Sequence, residues 1–218
     1  NTVAQSNDNR WTPGIFIQDE WKFTRSSTLL SGIRFDYHKN HGLIISPRIN
    51  VKQKIGDYTS IRINLGTGFR RVNLFTEDHA ALTGSREVLI AAELKPESSY
   101  NINVNLNHVF FLGESTGTID LDGFYTYFNN KIIPDYETDS RYIIYDNLSG
   151  FGITRGVSLS LSQSFLFPLT YSLGVTVQDV YQQEVITTDD SAQRTPQLFA
   201  PFFSGTFVAS YNLKPWRL

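Results

Sequence analysis

The reactive groups available to this 218-residue chain are few, and their types narrow the chemistry before any fold is considered. Cysteine is absent, so there is no thiolate nucleophile, no thiolate metal site and no disulfide framework. The four histidines, His38, His41, His79 and His108, are not spaced as a metal cluster. His38 and His41 flank one connection and could meet a metal there, but two ligands do not make a site. No HExxH pair or phosphate-cradling loop occurs, so the chain reads as a non-enzyme without a cofactor. The remaining charges gather in three groups. Arg34, Arg48, Arg62 and Arg70 recur through the first part of the chain, near Glu20, Asp36 and Lys52. Arg71, Glu77, Asp78, His79, Arg86 and Glu87 crowd one stretch, a mixture suited to holding a polar ligand. Asp135, Glu137 and Asp139 alternate in Asp-Tyr-Glu-Thr-Asp, and oxygen ligands at alternating positions suit Ca²⁺. The glycine turn and distal bidentate Glu of an EF-hand are missing, and an acidic surface loop explains the same residues.

The elements that position these groups are strands with two unlike sides. Ile153, Val157, Leu159, Leu161 and Phe165 share one face, with Arg155 and Gln163 as exceptions, while Thr154, Gly156, Ser158, Ser160, Ser162 and Ser164 fill the other. Tyr100, Ile102, Val104, Leu106, Phe110 and Leu112 alternate with polar residues in the same way. Period-two alternation means a strand. A soluble sandwich also alternates, but its wet face usually carries Lys and Glu, and its strands average about 5–6 residues. Here the polar face is mostly small and uncharged in the second half, and several runs reach the roughly 9–11 residues needed to cross a bilayer at a tilt. Aromatics collect toward the strand ends, including Trp11, Trp21, Tyr37, Phe111, Tyr127, Phe167, Tyr181, Tyr211 and Trp216. Such rings suit a membrane interface. The fold class read from this pattern is all-β, an antiparallel up-and-down transmembrane β-barrel.

Composition agrees. Hydrophobic residues make up 40% of the chain, which argues against disorder. No apolar run of about 18 residues is present, so no transmembrane helix is expected. A net charge of −2 provides no basic footprint for nucleic acid. Without an initiator Met or signal peptide, the chain reads as a mature or internal segment forming one domain, residues 1–218.

Nine strands are expected at 14–24, 28–38, 47–55, 59–70, 97–111, 117–131, 153–165, 169–182 and 202–213. Short turns are expected at 25–27, 56–58, 112–116 and 166–168, and long loops at 38–46, 71–96, 132–152 and 183–201. Short and long connections then fall at opposite ends, as in outer-membrane barrels with short periplasmic turns and long outside loops. An odd number of strands cannot close by antiparallel pairing alone, so the chain reads as an arc of a larger barrel. In strand 117–131, Ile119, Leu121, Tyr125 and Tyr127 are expected to face lipid, and Asp120, Asp122 and Thr126 the lumen. The same parity turns Arg34, Arg48, Arg62 and Arg70 toward the lumen wall, as contacts to substrate or plug or as ion pairs across strands.

A family resemblance rests on an ordered set of boxes. These are Gly14-Ile15-Phe16-Ile17-Gln18-Asp19-Glu20-Trp21, Ser31-Gly32-Ile33-Arg34-Phe35-Asp36-Tyr37-His38 and Ser46-Pro47-Arg48, then Gly66-Thr67-Gly68-Phe69-Arg70-Arg71-Val72-Asn73-Leu74-Phe75-Thr76-Glu77, then Leu94-Lys95-Pro96-Glu97-Ser98-Ser99-Tyr100. Together they resemble TonB-dependent outer-membrane receptors in the style of Bacteroidetes-type bacteria. Phe69-Arg70-Arg71-Val72 departs from the family's more usual Phe-Arg-Ala-Pro. The resemblance implies a middle-to-late part of a 22-stranded barrel enclosing a plug that this chain does not supply. It also implies uptake of a scarce nutrient (haem, siderophore, cobalamin, glycan or peptide), coupling to the TonB complex through the plug, and a possible surface lipoprotein partner in the bacterial outer membrane. Haem receptors of the family often carry a His between two such boxes. His79 lies there, but the Asn-Pro element is missing and a solvated loop histidine is the favoured reading. A passive porin-like or adhesin barrel fits the strands without the resemblance, and an outer-membrane enzyme with its site in the loops is a third reading.

Overall fold

The computed structural model describes residues 11–38, 42–70, 87–90, 94–135, 138–186, 191–197 and 199–212. The strands are β1 (Gly14–Lys22), β2 (Ser27–His38), β3 (Gly42–Ile55), β4 (Thr59–Arg70), β5 (Glu87–Ile90), β6 (Glu97–Leu112), β7 (Ser115–Asn129), β8 (Ile132–Asp135), β9 (Tyr142–Asn147), β10 (Gly150–Ser164), β11 (Leu169–Ile186), β12 (Ser191–Pro196) and β13 (Phe203–Tyr211). Among the described residues no helix is long and apolar enough to cross a membrane. One antiparallel sheet runs β1-β2-β3-β4-β6-β7-β10-β11, and β12 and β13 both pair with β11. A second, small sheet runs β5-β9-β8, with β5 parallel to β9.

The register explains the two-sided strands. Residues directly opposite each other in an antiparallel sheet share a face. Trp21, Leu29, Val51, Ile63, Val104, Gly123, Val157, Val177 and Phe203 form one such row across the large sheet. One residue away lies Lys22, Thr28, Lys52, Arg62, Asn105, Asp122, Ser158, Thr176 and Ser204, a row with no large apolar side chain. A one-residue slip at any pairing would mix the two rows.

Apolar side chains on the first face are bare. Val157 is 52% exposed and Phe203 61%, and the second sheet sits among the connections at one end instead of over this face. Each Val, Leu, Ile or Phe gains about 1.5–3 kcal/mol on leaving water, so an apolar face of this size needs a covering phase. Described residues that are both buried and apolar are Ile143, Tyr145, Leu148 and Ile153. Ile143 and Tyr145 of β9 pack with Val88, Leu94 and Ile132, so this small core ties the connections together at one end of the large sheet.

Two expected loops are corrected. Strand β3 begins at Gly42, not Pro47, because His38 pairs with Gly42 and the β2–β3 ladder continues beyond the expected strand. The stretch 183–201 is largely strand: β11 runs on to Ile186 and pairs with β12. With β13 following β12 along the same neighbour, the pair fills one strand position in tandem, so the large sheet has the expected nine positions. The long connections are therefore 71–96 and 130–149, which hold β5, β8 and β9. Both lie at the end opposite the short turns, where Gly56 and Gly113 take left-handed φ values of 74° and 60° that favour glycine.

Candidate functional site

A cleft of about 540 Å³ opens on the polar face at the loop end, lined by Arg70, Glu97, Phe128, Lys131, Gln178 and Gln197 among others. Arg70, the last residue of β4, stands opposite Glu97, the first of β6. Arg70 Nε donates to Glu97 Oε2 at 2.8 Å, and the Ile132 backbone N–H donates to Glu97 Oε1 at 2.9 Å. Glu97 is buried, so one carboxylate fastens β4 to the start of the 130–149 connection. Lys131 follows, its Nζ donating to Gln197 Oε1 at 2.8 Å. Burial holds the Lys131 amine below its ordinary value; the nearby Glu97 charge opposes this and Arg70 reinforces it. Among the described lining residues two cations, Arg70 and Lys131, stand with one anion, Glu97.

The connections above the cleft are joined. Asn147 of β9 accepts from the Lys95 backbone N–H at 2.7 Å and donates to the carbonyls of Lys95 and Asn130 at 3.0 and 2.7 Å. Asn130 itself has a left-handed φ of 53°, which asparagine tolerates better than most residues. Below the cleft, amides and acids bridge the strands. Asn50 donates to Asn64, Asn64 to Asn103 at 3.1 Å, Asn105 to Asp122 at 3.0 Å and Asn107 to Asp120 at 2.8 Å. Asn105 Oδ1 is buried without a hydrogen-bond partner among the described residues.

The expected site residues divide. Arg34 makes a two-pronged pair with the fully buried Asp36 of its own strand, at 2.7 and 2.8 Å. Arg48 donates to Gln18, and Arg62 stands between Lys52 and Asn105 in the polar row. Arg71, Glu77, Asp78, His79, Arg86, His41 and Glu137 lie outside the described residues, and the placement of Glu87 is described for its backbone alone. Asp135 accepts from the Thr138 N–H at 3.0 Å and from its hydroxyl. Asp139 accepts from Arg141 Nη2 at 2.9 Å, and this guanidinium holds its carboxyl below the usual range. His38 is buried, and His108 Nδ1 lies 2.8 Å from Thr59 Oγ1. Glu97 and Lys131 were not singled out from the sequence. Their signal is the strand pairing that sets Arg70 opposite Glu97, which no local pattern reveals.

The family described as TonB dependent receptor-like, beta-barrel matches residues 1–218. The chain belongs to this family. It is 31% identical over 122 residues to an iron-regulated outer membrane virulence protein of Vibrio cholerae, covering 54% of this chain and 18% of that one. It is 30% identical over 98 residues to a probable TonB-dependent siderophore receptor, PirA, of Acinetobacter baumannii, covering 39% of this chain and 13% of that one. The chain thus spans less than a fifth of these relatives. The solved structure of the A. baumannii siderophore receptor PirA superposes with a TM-score of 0.65 at 18% identity, over 93% of this chain and 31% of that one. The complex of FpvAI with pyocin S2 gives 0.62 at 14% identity, over 94% and 27%. The chain is an arc of an outer-membrane receptor barrel. Its bare apolar face meets lipid, its polar face lines the lumen, and the cleft lies at the outer mouth.

Proposed function

We propose that this chain forms barrel wall in an energy-coupled importer of a ferric chelate, and that the mouth cleft helps hold the chelate as it enters. The observation that carries this reading is the cation Lys131 beside the Arg70–Glu97 pair, in the cleft at the lumen mouth of a receptor barrel. Many iron chelates are anionic, and a half-buried ammonium with a neighbouring guanidinium attracts anions. Relatives named for iron regulation and siderophore uptake support iron over the other nutrients. The Bacteroidetes-type character rests on motif style alone. In this reading the 71–96 connection, with Arg71, Glu77, Asp78, His79 and Arg86, contacts the ligand outside. A plug filling the lumen docks on the amide rows. TonB then pulls on the plug, and the chain itself does no covalent chemistry. A surface lipoprotein would sit over the joined connections.

Binding of ferric chelates of differing net charge to the purified full receptor tests this. Anionic chelates are expected to bind better than neutral ones, and Lys131→Glu should erase the preference. Equal affinity of the wild type for both charge classes contradicts the reading.

A further inference from the structure

The lipid-facing side carries a charged cluster that the importer reading leaves unused. Arg155 of β10 and Asp179 of β11 stand opposite each other among apolar neighbours, on the face of Ile153 and Val157. Arg155 donates to Asp179 Oδ2 from Nε at 3.1 Å and from Nη2 at 3.0 Å. Arg194 of β12 donates from Nη2 to Asp179 Oδ1 at 2.6 Å, and its guanidinium carbon lies 4.0 Å from the centre of the Tyr181 ring. Arg155 lies 5.8 Å from the same ring. Two guanidinium groups therefore share one carboxylate, a surplus of positive charge among the described residues. Both arginine side chains are about half exposed, at 51% and 52%, and each has N–H donors beyond those given to Asp179.

The height of the cluster decides what it meets. The turn-end aromatics, Phe165, Phe167 and Tyr171, mark one interface. From Gln163 to Arg155 the strand climbs about 20 Å along the membrane normal, at roughly 3.4 Å per residue and a tilt of about 40°. The apolar band of such barrels is about 25 Å tall, so Arg155 starts about 5 Å below the outer interface, a gap its long side chain spans by snorkelling. Tyr125 stands opposite Arg155, and Tyr100, Tyr127 and Tyr181 fill the next row outward, as an aromatic girdle would. Below the cluster run the pairs Val157–Val177, Leu159–Val175 and Leu161–Leu173. Beside Val157, Gly123 leaves a notch in which nothing lies within 4 Å of where a Cβ would be. A surplus cation directly above an apolar strip has the shape of a lipid with an anionic head.

We propose that Arg155 and Arg194, braced on Asp179 and Tyr181, bind the phosphate of a phosphorylated glycolipid in the outer leaflet, whose acyl chains lie along the Val157–Val177 and Leu159–Val175 pairs. One arginine would suffice to neutralise Asp179, whereas the second creates a site for an anion. Because this face meets the bilayer, that anion is a lipid headgroup. Asp179 positions both guanidinium groups and sets their spacing. The site stands apart from the lumen, so its failure would leave the importer reading untouched.

Native mass spectrometry of the purified full receptor tests the proposal, using a phosphorylated outer-membrane glycolipid, its dephosphorylated form and inorganic phosphate as probes. The wild type should retain the phosphorylated lipid about tenfold more tightly than the dephosphorylated one, the scale of one charge-assisted contact. The double substitution Arg155→Gln, Arg194→Gln should erase that ratio, while Arg25→Gln at the turn end keeps it. Ferric-chelate binding should be unchanged in all three. Equal retention of the two lipids by the wild type overturns the proposal. So does full retention by a folded double variant, or displacement by millimolar inorganic phosphate. Should the double variant fail to fold, the wild-type ratio decides alone.

Discussion

Glu97 helps organise the mouth, because it is buried and serves Arg70 and the Ile132 N–H at once. Replacing it with Ala leaves that N–H without its acceptor and Arg70 without this carboxylate. Glu97→Ala should destabilise the full receptor by about 1–3 kcal/mol, with Glu97→Gln costing less because the amide oxygen still accepts from Ile132. Denaturant unfolding in lipid vesicles measures both, and equal stability of Glu97→Ala and wild type would contradict the role. Lys131 makes a pH prediction. Its folded value lies below the ordinary 10.5, so the unfolded chain keeps the proton to higher pH than the folded one does. Raising pH through the window between the two values therefore favours the folded state while removing one positive charge from the cleft. Affinity for an anionic chelate should fall in that alkaline window, and Lys131→Arg should abolish the fall. At this scale the sequence was partly legible. Strand parity alone puts Arg34, Arg48, Arg62 and Arg70 on one face, and the register agrees. Glu97 and Lys131 were not legible, because their meaning depends on which strand neighbours which.

Strands were the most readable part of the chain, since period two survives wherever one face is greasy and the other small and polar. Strand β7 shows it: Leu121 stands between Leu106 and Leu159, and Asp120 and Asp122 stand beside Asn107 and Asn105. Cysteines placed at 119, 121, 125 and 127 in intact membranes should react with a lipid-soluble reagent, and those at 120, 122 and 126 with an aqueous one. Equal aqueous reactivity of both sets would remove the membrane assignment. The same pattern misled at two strand ends. Ser191–Pro196 looks like a loop because a strand that continues past the bilayer no longer needs an apolar face, whereas Gly42–Ser46 keeps Leu43 and Ile45 in the alternation and the expected strand is cut short at Pro47. Local shape also matters within the lumen. A Cβ added at Gly156 would sit 2.5 Å from the Val177 carbonyl oxygen and 2.7 Å from the Phe124 ring. Gly156→Val must shift the β10–β11 ladder or the ring, costing about 1–3 kcal/mol, seen as a lower unfolding midpoint of the receptor. An unchanged midpoint would show that the sheet yields there.

As a whole the molecule is an open arc. Strand β1 has β2 as its sheet neighbour, and β12 and β13 have β11, so the outer edges of the sheet carry unpaired backbone groups among the described residues. Each such group costs several kcal/mol in hydrocarbon, and closure by further strands is the way a barrel removes the cost. The arc and its odd number of strand positions were legible because alternation counts strands. The cap made of β5, β8 and β9 was not, since a parallel pair between distant connections leaves no periodic trace. The central claim is that this arc walls an energy-coupled importer whose cationic mouth handles a ferric chelate. Uptake of a radiolabelled anionic ferric chelate by iron-starved cells carrying the full receptor tests it most directly, comparing wild type with a Lys131→Glu, Arg70→Glu variant in the presence and absence of TonB. TonB-dependent uptake by the wild type is expected, with a half-saturating concentration raised about tenfold or more in the variant at equal surface level, the scale of losing one charge-assisted contact. Uptake that is independent of TonB, or identical in the two receptors, would contradict the claim.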